Sequence, residues 1–210
     1  APRGMELLAF TRQLGDIEMQ SFDPGAIDQN MFLCPDLRAA EQMGDQVAEV
    51  KRAGDSLGGI VEVRAKGVPA GLGEPVFDKL DAELARAIMS IGAVKGVEIG
   101  SGFEAARMRG SQHNDPIKPE GFASNNAGGI LAGISNGDEI IVRAAVKPIP
   151  SIAIPQDTVN IHGSPTQITV QGRHDISAIP RINVVCESMV WLVLADHYLR
   201  QRSVLSAEIN

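Results

Sequence analysis

Two segments of this chain alternate apolar and polar residues with a period of two. In Ile60–Val68, Val61, Val63 and Ala65 alternate with Glu62, Arg64 and Lys66. In Glu139–Lys147, Ile140, Val142, Ala144 and Val146 share one face, and Ile141, Arg143, Ala145 and Lys147 the other. Successive strand side chains point to opposite faces, so each segment reads as a strand with one buried and one wet face. Parallel sheets are covered on both sides and their strands read as continuous apolar runs. The alternation therefore argues against a fully covered parallel sheet and for α+β layers.

Helical signals lie between and beyond these strands. Pro35-Asp36 opens a stretch in which Leu37, Ala40, Met43 or Gly44, Val47 and Val50 recur at helical spacing until Gly54. A second helix is expected over Pro75 to Ile91, with Pro75 in its first turn and Val76, Phe77, Leu80, Leu84, Ala87 and Ile88 as its apolar stripe. Met5 to Met19 reads as a strand punctuated by Gly4 and Gly15-Asp16. Val94–Ile99 and the segment around Ile117 are short and flanked by glycine, and Thr166 to Gln171 reads as a strand leading into Arg173-His174-Asp175. Pro180 to about Arg200 is apolar on most sides near Trp191, which predicts a core helix.

A length of 210 residues predicts one domain spanning 1–210. Aromatic residues are only 4%, so aliphatic side chains must fill the core. A formal charge of -7 without a run of Lys or Arg excludes a nucleic-acid backbone as partner. The longest apolar run, Met189 to Ala195, stops at Asp196, short of the roughly 18 residues that span a bilayer. No membrane association is expected, and without a secretory leader a cytoplasmic location follows. Cys34 and Cys186 suit buried thiols, and His113, His162 and His197 have no metal-ligand spacing. The start Ala1-Pro2-Arg3, without methionine, points to processing, a cleaved tag or a fragment.

Three segments can carry chemistry. In extended backbone Arg173 and Asp175 face the same way, a guanidinium beside a proton acceptor, although a bare string of this kind is more often a surface ion pair. Lys147-Pro148-Ile149-Pro150-Ser151 follows a strand with an irregular backbone whose free amides and carbonyls can meet a ligand. The run Ser124 to Gly133 permits close backbone approach, but it lacks the ending of a phosphate loop. Gly133-Ile134-Ser135-Asn136-Gly137 fits the G-x-S-x-G pattern, yet a strand rather than a helix follows it, so a hydrolase elbow is not expected.

Taken in order, these strings resemble chorismate synthase. They are Gly54-Asp55-Ser56-Leu57-Gly58-Gly59, Gly67 through Asp81, Ala93 through Gly100, Gly110-Ser111, Asn125 through Gly137, Lys147-Pro148 and Gly172-Arg173-His174-Asp175, covering nearly the whole chain. The resemblance implies a β-α-β sandwich of antiparallel sheets packed around helices, assembled as a homotetramer. It implies a lyase that uses reduced FMN to eliminate phosphate from 5-enolpyruvylshikimate 3-phosphate, giving chorismate for aromatic amino acid biosynthesis. Reduced flavin would come from NADPH on the enzyme itself or from a separate reductase.

Carried over residue by residue, the family's flavin contacts correspond to Gly92, Ala93, Ala132, Lys147, Pro148, Ile149, Pro150, Ser151 and Arg173, and its proton-relaying aspartate to Asp175. Ile176 stands where proline commonly follows that aspartate, and Pro150 where serine is common. The resemblance is to the carboxyl-terminal portion of the family. Its two catalytic histidines, its arginine cluster and its arginine-serine flavin segment have no counterpart here, so the chain alone is expected to be inactive. The other expectation is a non-catalytic piece that retains core and oligomer surfaces.

Overall fold

A computed structural model describes residues 4–207, and the opening Ala1-Pro2-Arg3 lies outside the described residues. The described residues divide into two compact units, one of residues 4–9, 61–145 and 183–207, the other of residues 10–60 and 146–182. Its largest sheet has the strand order β2-β1-β3-β9-β4, formed by β1 (Glu6–Leu14), β2 (Ile17–Glu18), β3 (Gly59–Lys66), β4 (Val94–Ile99) and β9 (Ile140–Val146). Three antiparallel hairpins complete the strands: β5 (Ile117–Lys118) with β6 (Gly121–Phe122), β7 (Ile130–Leu131) with β8 (Ile134–Ser135), and β10 (Gln156–Val159) with β11 (Pro165–Ile168). The helices are α1 (Leu37–Ala53), α2 (Leu80–Met89), the single turn α3 (Gly110–His113) and α4 (Ile179–Ala207). This is the expected α+β architecture with antiparallel sheets.

In the second unit the bounds of α1 follow its caps. Asp36 accepts from the N–H groups of Arg38 and Ala39 at the helix start, and also from those of Gln20 and Ser21. The Gln20 N–H, ahead of the other donors, holds the Asp36 carboxyl down at about 2. The core of this unit is Phe10, Leu14, Ile27, Phe32 and Met43, with Phe22 tilted against Phe10 at 5.1 Å. Met5 to Met19 is a hairpin rather than one strand, because Gly15, at φ 57°, turns the chain back.

In the first unit, Val61, Val63 and Ala65 face the core as the alternation predicts, and so do Ile140, Val142 and Ala144. The opposite face departs from expectation. Glu62, read as wet, is fully buried between Arg64 and Arg143, each with Nε 2.7 Å from one of its oxygens. Arg143 also donates to Gly100 O at 2.8 Å. Burial alone would push Glu62 up, but the Arg143 and Arg64 hydrogen bonds outweigh it and hold the carboxyl below its ordinary value.

The second helix begins at Leu80, not Pro75. Glu74 and Asp78 exchange backbone hydrogen bonds of 2.8 and 3.0 Å across a tight turn, which leaves Val76 and Phe77 exposed. Leu80, Leu84 and Ile88 are the buried stripe of α2.

α4 runs for 29 residues and extends past Arg200. Only one side is packed: Ile182, Cys186, Val190 and Leu194 are buried, whereas Val184, Leu192 and Leu199 stand on an exposed apolar side. Residues 179–204 are long and apolar enough to cross a membrane by length and composition alone, which the broken run Met189–Ala195 did not suggest. The packed stripe is that of a core helix. Cys34 and Cys186 are buried free thiols, as expected, and burial pushes Cys186 up to about 12.

Candidate functional site

The site in the second unit starts where α1 ends. Gly54 takes a left-handed conformation, φ 74°, and its N–H closes on Lys51 O. Residues 54–58 then fasten several distant segments through individual hydrogen bonds. Gly54 O accepts from Ala153 N–H at 2.9 Å, and the buried Ser56 donates through Oγ to Ile149 O at 2.6 Å. Leu57 N–H donates to Ile176 O at 2.7 Å. Ile149 of Lys147–Ser151 and Ile176, the residue after Asp175, thus bond neighbouring residues of one loop.

Gly58 lies under the first of these segments. A Cβ there would collide with the Val146 carbonyl oxygen and sit 3.0 Å from the Pro148 ring. Gly58→Ala is therefore expected to push residues 146–148 outward at a cost of about 1–3 kcal/mol. Urea denaturation measures this, and an unchanged midpoint would show that the turn yields freely.

Thr166 to Gln171 is not a strand that ends at Arg173. β11 stops at Ile168 because it pairs with β10 as a hairpin whose residues are all exposed. Arg173 to Asp175 therefore occupies irregular backbone. Arg173 Nη2 still lies 3.3 Å from Asp175 Oδ1, and His174 turns away, its Nε2 2.9 Å from Val170 O. Arg181, which the sequence reading missed, pairs with the other oxygen of Asp175. Lys147, Pro148, Pro150 and Arg173 are exposed, while Ile149, Ser151 and Asp175 are half-buried. Two cations, Arg173 and Arg181, thus share the Asp175 carboxylate in a chain of net charge -7.

The other predicted contacts lie in the first unit. Gly92 and Ala93 form the turn between α2 and β4, with Ala93 at φ 74°, and Ala132 is exposed at the tip of the β7–β8 hairpin at φ 52°. Non-glycine residues in this region are uncommon and cluster at functional sites. Ala132 lines a cavity of about 270 Å³ together with Asp81, His113, Asn126 and Leu131. Gly92 and Ala93 are not among its lining residues.

Asp115 organises one wall of that cavity. Its Oδ1 accepts from Ser124 Oγ at 2.6 Å and Asn126 N–H at 2.8 Å, and its Oδ2 from Ala127 N–H at 2.9 Å. Burial opposes its charge, but Ser124, Ala127 and Asn126 together hold it below the usual carboxylate range. Gly128 and Gly100 meet backbone to backbone, where a Cβ on either would not fit. Ser135 of the G-x-S-x-G string is buried, donating to Pro69 O and accepting from Leu72 N–H, so it is a structural serine. Among the described residues, no cluster of three or more His, Cys, Asp or Glu could hold a metal.

The fold and these corners define an α+β protein whose candidate site is made of main chain and cations. The chorismate synthase family model matches residues 1–199. The chain is 68% identical over 201 residues to a chorismate synthase of Desulfosudis oleivorans, covering 96% of this chain and 57% of that protein. It is 61% identical to one of Desulfatibacillum aliphaticivorans, covering 98% of this chain and 58% of the relative. A solved structure described as a crystal structure of chorismate synthase superposes with a TM-score of 0.77 at 34% identity, over 94% of this chain and 58% of its own. The chain belongs to the chorismate synthase family. It spans somewhat over half the length of these relatives.

Proposed function

We propose that this chain carries the flavin-facing part of a chorismate synthase, a lyase that converts 5-enolpyruvylshikimate 3-phosphate to chorismate by 1,4-elimination. In that reaction a C–O bond to phosphate and a ring C–H bond break, a C=C bond forms, and phosphate leaves with the bonding pair. Asp175 relays the lost proton, and Arg173 neutralises anionic ligand groups. Reduced FMN, when bound, supplies electron density to the substrate without net redox change.

The donor set suits such a group. Pro148 and Pro150 are exposed and have no N–H, so they can present apolar rings and free carbonyls to a planar ring, and Lys147 and Arg173 are exposed for a phosphate. The observation that supports this reading is the loop of residues 54–58, where Ser56 bonds Ile149 and Leu57 bonds Ile176, the residue after Asp175. The complete enzyme is proposed to be cytoplasmic and homotetrameric, with no nucleic-acid or membrane partner.

Fluorescence titration of the full-length protein with FMN tests the assignment. Lys147→Ala and Arg173→Ala are each expected to weaken binding by roughly tenfold. Wild-type affinity in both would overturn it. The second reading, a non-catalytic piece, is favoured by the 57% coverage of the Desulfosudis relative, and turnover by the 210-residue chain alone would exclude it.

A further inference from the structure

The geometry points to Arg181 as a positioning residue that holds Asp175 and thereby releases Arg173 to an anionic ligand. This inference rests on the functional reading above. Asp175 has two guanidinium partners of different character. Arg173 lies in irregular backbone, its side chain 90% exposed and its Nη2 3.3 Å away. Arg181 extends from α4, its side chain 69% exposed, and its Nη2 pairs with the other carboxylate oxygen.

The position of Arg181 is itself informative. It is the third residue of α4, in a first turn that contains no acidic residue. The positive end of the helix dipole mildly disfavours a cation there, and a carboxylate close by offsets that cost. Asp175 is that carboxylate. A carboxylate has about four lone-pair sites, and the two guanidiniums fill only part of them, so Asp175 keeps a face open to a proton donor. With Arg181 present, Asp175 is neutralised from the helix side and Arg173 can turn outward. Without Arg181, Asp175 would draw Arg173 back into a closed pair.

The test uses the full-length protein in four forms: wild type, Arg181→Gln, Asp175→Asn and the double variant. Arg181→Gln is expected to weaken FMN binding by roughly tenfold in a fluorescence titration, and the double variant to recover it, because an uncharged asparagine in place of Asp175 no longer competes for Arg173. Turnover should fall by roughly tenfold or more in Arg181→Gln with substrate KM little changed, and should not fall further when Arg181→Gln is added to Asp175→Asn. Arg181→Lys keeps the charge and should restore most of both properties, and it serves as the readout should Arg181→Gln fail to fold. Wild-type FMN affinity and turnover in Arg181→Gln, beside an inactive Asp175→Asn, would overturn the role of Arg181 and leave the functional reading standing. An Asp175→Asn variant as active as wild type would overturn the functional reading itself.

Discussion

Asp175→Asn in the full-length protein is expected to reduce turnover by about 10²- to 10⁴-fold, the range for losing a positioned acid–base group. Asparagine keeps the shape and can still accept one hydrogen bond, but it cannot take a proton at neutral pH. FMN affinity should be no weaker than wild type, since Arg173 is then free of its 3.3 Å partner. The expected signature is a loss in kcat with binding preserved. Parallel loss of flavin affinity and turnover would instead make Asp175 a structural residue of the 173–181 corner.

Glu62→Ala is expected to destabilise the fold by about 3–5 kcal/mol, because it leaves Arg64 and Arg143 without their shared buried anion. Their side chains are only 24% and 21% exposed, so water replaces the carboxylate poorly. Urea denaturation should show a lower midpoint with an unchanged slope. The pH dependence has a definite sign. The folded state holds Glu62 below its ordinary value of 4.5, so its stabilisation is complete above that pH and is lost as pH falls below it. The stability gap between wild type and Glu62→Gln should therefore narrow on acidification below 4.5. A gap independent of pH would mean that the two arginines act through packing alone.

The legible parts of the fold were those governed by local chemistry. Asp36 and Gly54 mark the ends of α1 because capping is decided within a few residues. The alternation through Val142 and Ala144 gave the buried face of β9 because pleat geometry has one period. Misreadings arose where a partner distant in sequence intervened. Glu62 looked solvated because nothing local announces that Arg143 will lie beside it. The apolar spacing of Val76 and Phe77 suggested helix, but backbone pairing of Glu74 with Asp78 removed them from the stripe.

The candidate site divides in the same way. Lys147–Ser151 and the Arg173–Asp175 pair stood out locally, by irregular backbone after a strand and by two-residue spacing, but their roles came from family resemblance. The bond from Leu57 to Ile176, the residue after Asp175, is long-range and leaves no periodic trace. Arg181 did leave a signal, a cation in the first turn of a long helix, which helix electrostatics would have flagged.

The boundaries between the two compact units fall after residues 9, 60, 145 and 182, inside β1, β3, β9 and α4. Neither unit is a continuous stretch of polypeptide, so gene truncation cannot deliver one without severing strands or a helix. Recombination during evolution would meet the same obstacle, since every crossover point lies in hydrogen-bonded backbone. Cuts confined to the turns would leave the strands and helices that link the segments of each unit unbroken.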